Sequence, residues 1–263
     1  LRRMRGQDHQ SALHLWQSTS VLEQDCSHRR IVKKVVYNHS QLVYNRLMQV
    51  EDIRNLILEK YKDDCFVVDK SGCKTVELEA VSFNANETSI FGKVDGDYIQ
   101  RELEWYKSQS LNVDDIPGKT PAIWKEVSDA SGCINSNYGY LIYNGANYAQ
   151  YQNTIKTLEN DPYSRRAVMI YTRPSMHYDF CANGMSDFIC TNTVQYLIRD
   201  NKVNAIVQMR SNDVVFGYRN DYAWQKHVLN KLTNDLKKSN PFLEEGNINW
   251  QVGSLHVYER HFG

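Results

Sequence analysis

Residues 190–213, CTNTVQYLIRDNKVNAIVQMRSND, are the stretch from which the fold can be read. Two runs rich in Val, Ile and Thr flank the pair Asp200-Asn201, so the segment is predicted to be a β-hairpin turning near those two residues. Downstream, DYAWQKHVLNKLTNDLKK (221–238) places Trp224, Val228, Leu232 and Leu236 on one helical face, and NINWQVGSLHVYERHF (247–262) reads as a final strand. Upstream, RRAVMIYT (165–172) reads as a strand. Before it, NYAQYQNTIKTLEN (147–160) reads as a helix with Tyr148, Tyr151, Ile155 and Leu158 inward, stopped at Asp161-Pro162. IPGKTP (116–121) breaks the chain, and DYIQRELEWYKSQS (97–110) is helical with Ile99, Leu103 and Tyr106 in register. CFVVDKSGCKTVELEAVSF (65–83) reads as strand, turn at Ser71-Gly72, strand. MQVEDIRNLILEKY (48–61) opens the first clean helix, with Val50, Ile53, Ile57 and Tyr61 on one face. Long strands mixed with helices, without strict alternation, favour an α+β class.

A chain of 263 residues can bury the core of one large domain. Its 31 basic and 31 acidic groups balance, so no global field calls for nucleic acid or a membrane. The balance hides an asymmetry: residues 1–47 carry eight basic groups against three acidic ones, which leaves the rest acidic. An acidic body that binds an anion must concentrate positive charge locally, so its clustered arginines matter. Residues 1–47 show no sustained period and are expected to lie outside the domain, disordered or not native. Their Arg-rich, acid-poor character fits a transit segment, but a frame read upstream of a start at Met48 is the expectation preferred. The six cysteines form no C-x-x-C pair and no zinc spacing, and scattered thiols without a secretion signal point to a reducing cytoplasm. No apolar run approaches membrane-spanning length.

The sequence has no Gly-rich phosphate loop, no nucleophile elbow and no metal signature. What stands out is polar residues packed into strand-like runs. Ser164, Arg165 and Arg166 open one strand, and Met209 to Asp213 close the hairpin that Cys190 begins. A lone Arg in a strand is usually a solvated face; two Arg sites flanking strands that also hold a thiol and a Ser suggest an oxyanion site. Taken singly, Glu102 reads as a helix-face carboxylate, Cys190 as a structural thiol, and Asp213 and Asp221 as turn or N-cap residues. Trp105 and Trp224 read as core, and His227 as a packed or surface histidine.

Together, DPYSRR (161–166), Cys190, RSNDVVFGYRND (210–221) and HVY (256–258), with Trp124 in IWKEV and Tyr138 in NYG, resemble the thymidylate synthase family. That family carries DPxSRR, a catalytic Cys, RSxDxxxGxPFN and HxY in this order, and the resemblance spans residues 48–262. The strings YIQRELEWYKS, MIYTRPSM and NTVQYLIRD resemble the hydroxymethylase branch found in T-even-type phages, which acts on deoxycytidylate (dCMP). The resemblance implies an α+β fold with a large mixed twisted sheet flanked by helices, and a homodimer through the sheet face. Family members usually continue past HVYxRHF, so the domain 48–263 is expected to be truncated at its C-terminus, with reduced turnover.

The resemblance also implies roles. Cys190 is the nucleophile that adds to carbon 6 of the pyrimidine, which makes carbon 5 nucleophilic toward a one-carbon unit. Arg210 and Ser211 bind the nucleotide phosphate, and Arg210 helps keep the thiol ionised. Arg165 and Arg166 reach the phosphate in the neighbouring subunit, and Lys70, where synthases have Arg, adds a point charge. His256 and Tyr258 hold the sugar hydroxyl. Glu102 organises water and moves protons. Trp124, Tyr138, Asp213 and Gly217 line the folate side. Asn212 replaces an apolar residue and helps hold water. Asp221 stands where synthases have Asn; it accepts from the cytosine amino group and can share a proton with ring nitrogen 3. Thr191 follows Cys190 where synthases have His, and YRND replaces xPFN.

The implied reaction transfers a hydroxymethyl group to carbon 5 of dCMP, with 5,10-methylenetetrahydrofolate as co-substrate and no metal. Partners are dCMP, folate, a second copy of the chain and other phage nucleotide-synthesis enzymes, with no membrane. Two other readings stay open: the same scaffold acting on dUMP to make dTMP or its hydroxymethyl analogue, and an inactive nucleotide- or RNA-binding relative.

Overall fold

A computed structural model describes residues 47–68 and 72–262. Lys70, nearly all of the segment 1–47 and Gly263 lie outside the described residues, and with them the expectations placed there. The described chain runs β1 (Met48–Gln49), α1 (Val50–Lys62), β2 (Val67–Val68), β3 (Lys74–Asn84), α2 (Gly96–Ser108), α3 (Ala122–Val127), α4 (Tyr138–Tyr143), α5 (Gln150–Asn160), β4 (Val168–Ile170), α6 (Met176–Asp179), β5 (Thr191–Arg199), β6 (Lys202–Asp213), α7 (Gly217–Leu236) and β7 (Glu244–Tyr258). The strands form a mixed sheet in the order β1-β3-β7-β6-β5-β4, with β2 pairing with β3 off that path. β7 lies parallel to β6 and antiparallel to β3, and β6 is antiparallel to β5.

The hairpin forms as predicted. Asp200 (φ 50°) and Asn201 (φ 57°) both take left-handed conformations, the pair of angles a two-residue turn needs to follow the strands' twist. The α+β reading holds, and Trp224, Val228, Leu232 and Leu236 are all buried on α7. The strands predicted at 65–68 and 165–172 shrink to two and three residues, because each has a partner strand on one side only. The short helices α3, α4 and α6 are too brief to show a period in sequence.

Three local departures position the site. α7 starts four residues before the predicted Asp221, because Asp213 Oδ1 accepts from the backbone N–H groups of Val215, Phe216 and Gly217. Asp213 therefore ties the turn that leads into the helix, whose N-cap position is Phe216, and Asp221 falls in the second helical turn and not at its start. On α2 the buried face is Glu102, Trp105 and Tyr106, with Ile99 and Leu103 only half-buried. The core takes the aromatic side of the helix and draws a carboxylate in with it. On α5 the left-handed Tyr148 and Ala149 delay the helix to Gln150, so Tyr148 is exposed where an inward face was predicted.

The sheet is irregular beside the hairpin's mouth. The β3–β7 ladder passes from Glu79–Ser254 to Val81–Val252 through Ala80, which is left-handed at φ 51°. Opposite it, a Cβ on Gly253 would lie 2.8 Å from the Arg210 carbonyl oxygen. The β5–β6 ladder slips between Thr191 and Thr193. These breaks bend neighbouring strands at the level of Cys190 and Arg210, re-aiming side chains that a regular pleat would alternate. Among the described residues no helix is long and apolar enough to cross a membrane.

Candidate active site

Cys190 immediately precedes β5, and Arg210 lies beside it on β6, where its backbone N–H donates to the Cys190 carbonyl at 2.9 Å. The Arg210 guanidinium is held in place by the chain itself. Its Nε donates to the Ile189 carbonyl at 3.0 Å and its Nη2 to the Phe188 carbonyl at 2.6 Å, with the Phe188 ring beneath it. From there Nη2 lies 3.6 Å from the Cys190 sulfur. The Arg210 charge stabilises a thiolate as expected, but burial outweighs it, and the Asp221 and Asp187 charges add to burial. The thiol is pushed up to about 11 and is protonated in the ligand-free site.

Asp187, three residues before Cys190, was not singled out in sequence. It is buried and accepts from the backbone N–H groups of Asn135 and Ser136 at 2.7 and 2.8 Å and from the Ser136 hydroxyl at 2.7 Å. Burial raises its pKa against those bonds and against Arg210. Asn135 is held in turn by Arg173, which pairs with Asp179. The segment leading to Cys190 is thereby stitched to the turn before α4.

That turn presents Tyr138. Asn137 caps α4 by accepting from the Tyr140 N–H, while its side-chain amide donates to the Trp105 and Ser110 carbonyls. The Tyr138 hydroxyl accepts from the Thr191 hydroxyl at 3.1 Å. Thr191 thus serves to hold a buried phenol beside the thiol. The Asp221 and Cys190 charges both act on Tyr138, so the three groups share one cleft.

Two carboxyl groups complete it. The Tyr98 hydroxyl donates to Glu102 Oε1 at 2.6 Å, and the Trp124 indole N–H donates to Tyr98 at 2.8 Å. Burial raises Glu102 from 4.5 to about 7, against the pull of those two donors. Tyr98 lies four residues before Glu102 on the same helix, a spacing that could have identified it. Asp221 Oδ2 accepts from Asn212 Nδ2 at 2.8 Å, and Asn212 Oδ1 accepts from the Trp250 indole N–H at 3.2 Å. Burial first, then the Glu102 charge, raises Asp221 from 3.8 to about 8, with Asn212 and Tyr138 pulling the other way. Trp250, on β7, had no signal in sequence beyond a core aromatic.

The remaining predicted residues divide into three groups. Gly217 sits against the Asn212–Asp221 pair: a Cβ there would be 3.1 Å from Asn212 Nδ2 and 3.8 Å from Asp221 Oδ2. Ser211 and Asp213 share β6 with Arg210, His256 pairs with Asp213 in register, and Tyr258 follows on the same strand, its ring 5.5 Å from that of His256. Among the described residues, His256 Nδ1 and Asp213 Oδ2 are buried polar atoms without a hydrogen-bond partner. Arg165 and Arg166 precede β4, exposed, and the bonds around them involve backbone only. They do not join this network. His227 lies half-buried against Trp224, away from the network, as its plain reading had it.

Comparison with known proteins places the chain in a family. The thymidylate synthase family profile matches residues 69–263, and the chain belongs to that family. Among its relatives, it is 59% identical over 217 residues to the deoxycytidylate 5-hydroxymethyltransferase of Enterobacteria phage T6, covering 82% of this chain and 88% of that protein. The phage T4 protein of the same name matches to the same extent. The thymidylate synthase of Bacillus atrophaeus is 26% identical over 169 residues. In structure, the fold matches the crystal structure of thymidylate synthase from T4 phage with a TM-score of 0.64 over 80% of this chain and 77% of that one, at 21% identity.

Proposed function

We propose that this protein is a deoxycytidylate 5-hydroxymethyltransferase. The observation that carries the reading is a carboxylate at position 221, held by a side-chain amide in the same cleft as the Cys190 thiol, in a chain 59% identical to phage proteins of that activity. Arg210 and Ser211, with Lys70, bind the nucleotide phosphate, and His256 and Tyr258 take the sugar hydroxyl. The orphaned His256 Nδ1 supports that assignment. Exposed Arg165 and Arg166 serve the site of a second copy, in a homodimer packed through the sheet face.

Asp221 reads the base. Cytosine offers an amino donor and, at ring nitrogen 3, an acceptor. A carboxyl raised to about 8 is largely in its acid form at neutral pH, and an acid supplies the acceptor and the donor that this edge needs. Cys190 bonds to carbon 6 through sulfur and releases its proton, pushing electron density onto carbon 5. Bound nucleotide lies beside Arg210, and the bond to carbon 6 removes the buried anion that burial penalises. Glu102, raised to about 7, can hold or release a proton near neutrality; anchored by Tyr98, it orients the water that becomes the new hydroxyl and takes its proton. Carbon 5 gives up its proton once it holds the one-carbon unit, the water's oxygen bonds to the exocyclic carbon left there, and breaking the sulfur–carbon bond restores the carbon 5–carbon 6 double bond and frees Cys190, which takes back a proton.

The residues fit a folate on the adjoining wall. Asp213 Oδ2 is a buried acceptor without a hydrogen-bond partner among the described residues, suited to a ring rich in N–H groups, and Gly217 lies beside it; Trp124 and Tyr138 are proposed to complete that wall. 5,10-Methylenetetrahydrofolate, when bound there, supplies the one-carbon unit.

The test is incubation with methylenetetrahydrofolate and either dCMP or dUMP, followed by mass analysis. The expected product is dCMP enlarged by a hydroxymethyl group. A methylated product, or equal turnover of dUMP, refutes the reading.

A further inference from the structure

We propose that Trp250 and Asn212 form a relay that fixes which oxygen of Asp221 carries the acid proton, so that the carboxyl presents cytosine's pattern and not uracil's. The proposal rests on the reading of Asp221 as the base contact and adds to it two positioning residues and the reason for discrimination.

An indole N–H can only donate. Trp250 is fully buried, and its Nε1 donates to Asn212 Oδ1 at 3.2 Å. That contact sets the Asn212 amide: its oxygen faces the indole, and its Nδ2 faces Asp221 Oδ2 at 2.8 Å. Reversing the amide would strand a buried indole donor and an NH₂ against each other while setting oxygen against oxygen at Asp221. Leaving such groups unpaired costs about 1–3 kcal/mol each. Oδ2 of Asp221 is therefore held as an acceptor, and the proton of the acid form belongs on Oδ1.

The consequence follows from the bases. Along the edge from position 4 to position 3, cytosine presents donor then acceptor, and uracil presents acceptor then donor. A carboxylic acid free to move its proton between its oxygens satisfies either order. An acid with one oxygen committed as acceptor satisfies a single order, and that order is cytosine's with Oδ2 toward the position-4 group and Oδ1 toward ring nitrogen 3, the orientation the proposal requires. Putting Asp at 221 is thus insufficient for specificity; the donor at 212 and the indole behind it complete it. Gly217 keeps the relay in line, since a Cβ there would lie 3.1 Å from Asn212 Nδ2. Burial favours the acid form of Asp221 at neutral pH, which gives the relay a proton to place.

The test uses the full chain with Trp250→Phe and, separately, Asn212→Ala. For each, kcat/KM is measured for dCMP and dUMP, and the affinity for both nucleotides is measured by calorimetry without folate. In both variants the preference for dCMP over dUMP is expected to fall roughly tenfold or more, by a gain toward dUMP relative to dCMP in turnover and in binding. A variant that loses activity equally toward both nucleotides with an unchanged binding ratio overturns the relay, because packing damage alone makes no distinction between bases. If Trp250→Phe does not fold, Asn212→Ala and Gly217→Ala carry the same measurement. A wild-type protein that turns over dCMP selectively, with variants that keep its ratio, refutes the relay and leaves the proposed function standing. A wild-type protein that does not prefer dCMP refutes both.

Discussion

At Cys190, geometry and environment oppose one another. Arg210 is aimed at the sulfur by two backbone carbonyls, yet burial raises the thiol to about 11. In the free protein Cys190 is therefore expected to alkylate with iodoacetamide much more slowly at pH 7.5 than exposed Cys65 and Cys181, by roughly tenfold or more as read by peptide mass spectrometry. Equal rates would show that the thiol is not suppressed. Glu102 gives a second residue-level prediction. Its folded pKa lies above its ordinary value, so the folded chain binds this proton more tightly than the unfolded chain. The resulting stability is present below pH 4.5 and is lost as pH rises through about 7. Glu102→Gln should leave melting at pH 5 nearly unchanged, raise stability at pH 8 by roughly 1–3 kcal/mol, and abolish turnover. A variant less stable than wild type at pH 8 would contradict the assigned cost of that buried charge.

Among elements, the contact between α2 and α4 matters most for the site, because α2 carries Tyr98 and Glu102 and α4 begins with Tyr138. The two helices meet at Gly139, where a Cβ would fall 1.7 Å from the Tyr106 carbonyl oxygen. Neither backbone can yield without moving the residues beside the thiol. Gly139→Ala is expected to destabilise the protein by about 3 kcal/mol or more in urea unfolding, with loss of activity in whatever remains folded. A fully stable Gly139→Ala would mean that the helices can part without cost. The aromatic stack of Tyr106 on Tyr138, with ring centres 5.3 Å apart, shows how little slack the contact leaves. α7 is fixed at its N-terminal end: Asp213 ties the turn before it, and Asp221, in its second turn, is delivered to Asn212.

On the scale of the whole molecule, the proposed pairing of two chains places Arg165 and Arg166 of one against the phosphate site of the other. Their exposure, with no side-chain partner among the described residues, fits that arrangement. Arg166→Ala and Cys190→Ala should each be inactive, and the two unfolded and refolded together should recover about a quarter of wild-type activity, since half the random dimers hold one intact site of two. No recovery on mixing would place each site within a single chain. The sheet that would form this interface is bent where Ala80, Gly253 and Arg210 meet, at the level of Cys190, so the same irregularity shapes both the sheet face and the surroundings of that thiol.

Much of this molecule was legible in its residues. The hairpin at Asp200-Asn201, the inward face of α7 and the α+β class follow from period and turn chemistry, which are local. Cys190, Arg210, Asp213 and Asp221 could be found because their spacing matches a family pattern. Other features had no local signature. Glu102 lies on the buried side of α2 because tertiary packing chose Trp105 and Tyr106 over Ile99 and Leu103. The start of α7 depended on which aspartate reached three backbone donors. Asp187 and Trp250 act on the cleft from 34 residues before Asp221 and 29 after it, across separate elements. Hydrogen bonds and burial that shift a pKa or orient an amide are made between distant segments, so they exist only once the sheet has brought β6, β7 and α7 together.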